Sequence, residues 1–269
     1  MSALVLLAGI LLLYARFVEP RRLQLCRVPL RLPHLPPVFN GLRVVQLSDL
    51  HLGGWLQPLR LRAWLERVND LQPDLVVITG DFVDETADRP LDELLAPLRT
   101  LQSPVIAVPG NHDHRRGVEQ VCAALSACGL RVLRNQVHTL RRDGAQLHIA
   151  GLGDQAWQDD DLDALLEQLP PGPAILLAHE PDVADLADAG ERFMLQLSGH
   201  THGGQVCPPR SRRALISPSW GQYYHSGLER AGNLIVYVNR GLGMIRPWLR
   251  FNCRPEITLL ELSSGPDSA

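Results

Sequence analysis

Histidines and aspartates recur in this chain where short apolar runs end. The run "LRVVQLSDLH" finishes in Asp49-Leu50-His51, and "DLVVITGDFVD" finishes in Gly80-Asp81 with Asp84 three further on. A third, "SPVIAVPGNHDH", closes on Gly110-Asn111-His112-Asp113. Later runs end in His179 and in Gly199-His200-Thr201-His202. Each alone has a plain alternative. A D-x-H is a cap or a turn, "GNHD" makes a passable turn, and one histidine is a satisfied polar residue. Together they place carboxylate, imidazole and amide at five strand ends, using five of the chain's ten histidines. That donor set, free of thiolate, suits Mn, Fe or Zn and disfavours a structural zinc site. Two such ions, roughly 3.5–4 Å apart, clamp in-line displacement at phosphorus. Side chains two apart on an extended segment share a side. The spacing therefore predicts that Asp49 with His51, and His200 with His202, face one cavity.

These residues need a scaffold. "PLRLRAWLERVNDL", "RPLDELLAPLRTL" and "GVEQVCAALSACGL" carry helical spacing, and one follows each of the first three runs. The runs themselves are almost continuously apolar, which predicts strands buried on both faces. The second half is richer in strands, through "VHTLRR", "QLHIAGLGD", "AILLAHEPD", "FMLQLSGHTH", "NLIVYVNRGLG" and "EITLLEL", with one helix near "DLDALLEQL". In open α/β sheets the carboxyl ends of strands carry the ligand site, and here those ends carry the candidate ligands.

The chain has 269 residues, 45% hydrophobic and 20% charged, with a formal charge of -3. That length buries a sizeable core, and the balance gives no case for a nucleic-acid partner. No obligate protein partner is implied. Five cysteines without a C-x-x-C pair point to a reducing compartment and to small buried residues. The N-terminus is uncharged from Ser2 to Ala15, and Arg16, Arg21, Arg22, Arg27 and Arg31 follow. An uncleaved anchor over 1–18 is expected, with a signal sequence or a buried core helix as alternatives. The trailing arginines put the main domain on the cytoplasmic face of the inner membrane. A proline-rich connector over 19–41, a catalytic domain over 42–262 and a disordered tail over 263–269 complete the expected organisation.

The ordered set D-x-H, G-D-x-x-D, G-N-H-D, H, G-H-x-H resembles the calcineurin-like metallophosphoesterases across residues 42 to 262. More narrowly, "LSGHTHGGQV" and "IRPWLRFNCRPEITLLEL" are similar to the bacterial membrane-associated phosphodiesterase branch, some of whose members cleave UDP-2,3-diacylglucosamine. The resemblance implies a four-layer α-β-β-α sandwich holding two divalent transition-metal ions, Mn²⁺ first, with Fe or Zn as alternatives. It assigns Asp49, His51 and His202 to one ion and Asn111, His179 and His200 to the other, with Asp81 bridging. A hydroxide between the ions would attack phosphorus, with His112 serving the leaving oxygen and Asp84 orienting it. Asp84 has a competing reading as a helix cap. Glu85-Thr86 stand where protein phosphatases of the family carry Arg-Gly, which argues against a phosphoprotein substrate.

Smaller features remain. Arg210, Arg212 and Arg213 form either a phosphate or lipid-headgroup contact or a solvated basic loop. Arg240 to Gly243 either approach a phosphate or make a plain turn. His114 reads as an exposed loop residue, Trp157 as packing, and Asp159 to Asp161 as charge at a helix start. The function expected is a phosphodiesterase or pyrophosphatase acting on a lipid-linked substrate. A soluble diester such as a cyclic nucleotide is the alternative, and a non-catalytic tethered binding protein is the remote one.

Overall fold

The computed structural model describes residues 3–188, 190–207, 221 and 223–266. It opens with α1 (Ala3–Leu13), continued by a wider turn over Tyr14–Val18 and a tight one over Glu19–Arg21. The 19 residues from Ala3 to Arg21 are long and apolar enough, by length and composition, to cross a membrane. Then follow β1 (Gln24–Leu32), β2 (Leu42–Leu47), α2 (Pro58–Asp70), β3 (Leu75–Thr79), α3 (Leu91–Leu95), β4 (Val105–Val108) and α4 (Asn111–Ala127). The middle of the chain gives β5 (Arg131–Val132), β6 (Gln136–Arg142), β7 (Ala145–Gly151), α5 (Leu162–Gln168) and β8 (Ala174–Leu177). Last come α6 (Ala184–Asp188), β9 (Leu195–Ser198), β10 (Gly227–Ala231), β11 (Leu234–Val238) and β12 (Glu256–Ser264).

Two six-stranded sheets result, ordered β1-β12-β2-β3-β4-β5 and β10-β11-β9-β8-β7-β6. In the first, β2, β3 and β4 run parallel. In the second, β7, β8, β9 and β11 do the same. The parallel strands are buried along their length, β3, β4, β8, β9 and β11 completely, as strands covered on both faces must be. The inner faces of both sheets share one core, with Val44, Val77 and Ile106 meeting Ile149, Leu177 and Leu197. A second core fills the space between the first sheet and α2, α3 and α4, and a third joins the second sheet to α5 and α6. The architecture is the four-layer α-β-β-α sandwich.

Three local readings change. The expected connector is not free-standing, because Gln24–Leu32 pair in parallel with β12. Pro29 is tolerated there because β1 is an edge strand. The second helix is short, since Pro97 stands where α3 gives way to a tight turn over Ala96–Thr100. β12 runs on to Ser264, past the expected domain end at 262. A bond from Arg250 N to Ala15 O (3.0 Å) and one from Cys253 N to Glu19 Oε1 (2.6 Å) fasten the end of the apolar helix to the body.

Candidate metal centre

The parallel strands of both sheets end at one place. Asp49 and His51 follow β2, Asp81 follows β3, and Asn111 opens α4 just after β4. His179 follows β8, and His200 and His202 follow β9. Gln46 and Thr79 lie between the sheets, where the Gln46 amide donates to Ser198 O (2.9 Å) and to Thr79 Oγ1 (3.1 Å). These buried bonds hold the sheet ends together beneath the site.

The chain does not stay extended here. Asp49, His51, Asp81, His200 and His202 all have positive φ, between 45° and 69°. For residues with a side chain this is a costly conformation that persists where the surroundings enforce it, and it gathers at functional sites. His200 and His202 both line one cavity, as the spacing predicts, and within it their rings turn to two groups of donors. Backbone packing is equally tight. A Cβ on Gly199 would overlap Ser48 Oγ and lie 2.5 Å from Asp49 Oδ2, and one on Gly80 would overlap the His179 ring.

Asp49, His51, Asp81 and His202 bring ligand atoms within 4.8 Å of one another. His51 Nε2 lies 3.1 Å from His202 Nε2 and 3.4 Å from Asp81 Oδ2, and His202 Nε2 lies 3.5 Å from Asp49 Oδ1. On the other side, Asn111 Oδ1 sits 3.2 Å from His179 Nε2 and 3.0 Å from His200 Nδ1, while His179 Nε2 is 3.3 Å from Asp81 Oδ2. Asp81 Oδ2 therefore stands between the two groups. It is buried and has no hydrogen-bond partner among the described residues, as do His200 Nε2 and His202 Nδ1. His179 Nδ1 lies 2.7 Å from Thr79 O. A carbonyl can only accept, so Nδ1 carries a proton and Nε2 is the nitrogen turned to the site.

The electrostatics suit cations. Burial lowers His51 to about 3 against the pull of Asp81, lowers His200 to about 4, and holds His202 well below the ordinary range. Three imidazoles thus present free lone pairs near neutral pH, the form a metal needs. Burial acts to lower His179 too, but the carboxylates of Asp81 and Asp49 hold it well above its ordinary value. Burial acts to raise Asp81, but His179 and His112 hold it well below the carboxylate range. An orphaned carboxylate oxygen between two sets of lone pairs fits a pair of divalent ions.

The sequence pattern of the calcineurin-like phosphoesterases matches residues 42–204. The chain belongs to that family. It is 37% identical over 257 residues to the uncharacterized metallophosphoesterase YkuE of Bacillus subtilis, covering 93% of this chain and 89% of that protein. Phosphodiesterase YaeI of Escherichia coli is 31% identical over 256 residues, with 93% and 92% covered. A bovine transmembrane protein with a metallophosphoesterase domain is 33% identical, with 92% of this chain and 58% of that protein covered, so the chain spans under two thirds of its length. The calcineurin-like phosphoesterases are metal-dependent phosphoester hydrolases, and so is this chain, with a dimetal site at its Asp/His cluster.

A cavity of about 610 Å³ opens over the donors of this phosphoesterase, lined by Asp84, Glu85, His112 and Arg115 on one side and by Trp157 and Arg246 on others. The His112 backbone N–H donates to Asp81 Oδ1 (2.8 Å), and its ring stands edge-on to His51 at 4.6 Å. Asp84 makes a local turn, accepting from the Thr86 amide (2.9 Å) and hydroxyl. The carboxylate facing His112 Nδ1 is Glu85, at 3.7 Å, which also accepts from Arg115 at 2.9 Å. Asp113 ties the two motif loops, taking N–H bonds from Phe82 (2.9 Å), Val83 (3.3 Å) and Gly110 (2.9 Å).

Other expectations move. Arg240 pairs with Glu256 and reaches Cys26 Sγ (3.3 Å), away from the cavity lining. The amides of Gly241, Leu242 and Gly243 donate to Asn239 Oδ1, Ser48 O and Asp49 O, so this turn buttresses Asp49 and those three N–H groups are engaged. Arg250 is the reason it holds, since its fully buried guanidinium donates to the carbonyls of Arg240, Gly241 and Gly243. His114 is not exposed; its side chain is 7% accessible and stacks on Trp157 at 5.6 Å and 13°. Trp157 is 49% exposed and lines the cavity, so it does more than pack. Asp161 caps α5 through Ala164 N (2.9 Å), whereas Asp159 grips Arg134. Arg210, Arg212 and Arg213 lie outside the described residues. Of the residues missed, Arg115 had a signal in its closeness to "GNHD", and Arg246 and Arg250 in the stretch "IRPWLRFNCRPEITLLEL" that carries the family resemblance.

Proposed function

We propose that this chain is a membrane-anchored phosphodiesterase or pyrophosphatase acting on a lipid-linked substrate such as UDP-2,3-diacylglucosamine. Asp49, His51 and His202 hold one divalent ion, Asn111, His179 and His200 hold the second, and Asp81 is shared. Mn²⁺ is the ion first in line, with Fe or Zn accepted by the same donors. When bound, the pair supplies an activated water and neutralises charge on the phosphoryl oxygens. The protein does the rest. His112, pointing into the cavity beside His51, gives a proton to the leaving oxygen. Arg115 and Arg246 on the cavity wall draw the anionic ester in and orient it. Glu85 keeps Arg115 and His112 in place. Asp84 shapes the loop that carries Glu85.

The observation that carries the lipid reading is continuity. The end of the apolar helix is bonded through Ala15 O to Arg250, five residues from Ile245 on the cavity wall. A substrate rooted in the bilayer would meet the cavity where the chain is tethered. The arginines after residue 15 favour a catalytic domain in the cytoplasm, at the inner membrane. Trp157, stacked on His114 with one face open, favours a second reading, a soluble diester carrying a planar base such as a cyclic nucleotide.

The test is UMP release from detergent-dispersed UDP-2,3-diacylglucosamine with Mn²⁺, using Asp81→Ala as blank. Release that the blank lacks is the expected result. Turnover of cyclic nucleotides alone would replace the lipid reading with the soluble one.

A further inference from the structure

Beside the cavity lies a surface that shares only Arg246 with the cavity wall. Trp248 has two guanidiniums over its ring, Arg16 at 5.5 Å and Arg246 at 5.2 Å from the centroid. Arg16 belongs to the end of the apolar helix, and Arg246 lines the cavity. Trp248 also packs against the core that contains Trp55 and Trp64. In the first turn of α2, Leu59 is 82% exposed and the Arg60 guanidinium lies 4.6 Å over Trp55. The first turn of α2 and Trp248 thus flank one core, and partial burial and then the charge of Arg21 lower the Arg60 guanidinium. At the end of the apolar helix, Phe17 and Val18 are 50% and 46% exposed. The acidic residue of the helix end, Glu19, is buried and accepts from Cys253 N.

We propose that this rim is a bilayer-docking surface, in which Leu59, Arg60, Arg246 and Trp248 seat the mouth of the cavity on anionic phospholipid next to the point where the apolar helix enters the membrane. The inference deepens the anchored reading and rests on it. Charge complementarity argues for the occupant, because the named charges of the rim are all guanidiniums. Its composition is that of a membrane interface, where tryptophan and arginine lie at headgroup depth and leucine just below. Continuity argues the same, since a helix leaving the bilayer at Arg16 holds Trp248 and Arg246 at that level. Docking would fix which way the cavity faces, which a single flexible tether would not. Each arginine near an anionic surface favours docking by about fivefold.

The experiment reads tryptophan fluorescence of the full chain in vesicles of phosphatidylcholine and phosphatidylglycerol with brominated acyl chains. Bromine quenches rings that reach the bilayer, and the Trp248 share is the difference between wild type and Trp248→Phe. That share is expected to be strongly quenched. It should fall by about fivefold or more when Leu59→Glu and Arg60→Glu are combined, and turnover of bis-p-nitrophenyl phosphate by the double variant, which reports folding, should not change. A membrane-bound chain quenched equally with and without Trp248 would overturn the docking surface and leave the anchor standing. A chain that stays off the vesicles would overturn the anchored reading beneath it. Neither outcome depends on whether the lipid substrate is cleaved.

Discussion

Asp81 and His112 lie close together, bound through an amide and a carboxylate, yet they answer to different demands. Asp81 Oδ2 faces both donor groups, 3.4 Å from His51 and 3.3 Å from His179. Removing it leaves each group short of an anionic ligand in a buried setting. His112 contributes only its amide to Asp81, and its ring is turned to the cavity. His112→Ala is therefore expected to keep its metal content and to lose about 10²–10⁴ in kcat, the range for a positioned proton donor. Asp81→Ala should lose both metal and turnover. Elemental analysis beside kinetics separates them, and equal metal loss in the two variants would refute the division of roles. The motif residues were readable from sequence because each motif is local. The partner of His112 was not, since Glu85 and Asp84 are neighbours in the chain and only the turn made by Asp84 with Thr86 decides which of them faces the ring.

The elements set the site through where they stop. Most of the parallel strands end on a glycine or a left-handed residue, and these tight ends fail sharply when enlarged. Gly199→Ala would press its methyl onto Ser48 Oγ and Asp49 Oδ2. A destabilisation of about 1–3 kcal/mol is expected from overpacking, with loss of metal from the group that includes Asp49. Gly144→Ala is the comparison, because its φ is +79° and nothing lies within 4 Å. It should cost about 1–2 kcal/mol through backbone conformation alone and keep its metal. Urea unfolding with metal analysis of both proteins would show this, and full metal retention by Gly199→Ala would contradict it. Continuous apolar runs identified most of these strands in the sequence. β1 escaped because Pro29 and the prolines just after the strand read as a connector, and an edge strand needs only one side of its ladder.

At the scale of the whole molecule the site is a clasp between two sheets. Asp49, His51, Asp81 and Asn111 come from the first, and His179, His200 and His202 from the second. Buried carboxylates and imidazoles without ions are unfavourable neighbours, and Asp49 shows it, with burial pushing its carboxyl up to about 7. Binding of ions to the native state alone should stabilise the fold, by about 2.7 kcal/mol for each site at a free concentration one hundred times the dissociation constant. Chelation is expected to lower the unfolding temperature, and Mn²⁺ to restore it. An unfolding temperature indifferent to the chelator would count against ions bridging the sheets.

By itself the sequence determined the family, the alternation of strands and helices, and the seven candidate ligands, because these depend on residue types at short range. It also determined the apolar N-terminal segment, a matter of composition. Only the tertiary structure decided the left-handed backbone at Asp49, His51, Asp81, His200 and His202, since it is enforced by packing and not by local preference. It alone turned Arg240 away to Glu256, made the "NRGLG" turn a buttress for Asp49, and brought Arg246 and Trp157 to the cavity from distant parts of the chain. Short-range pattern names the donors, and long-range packing aims them.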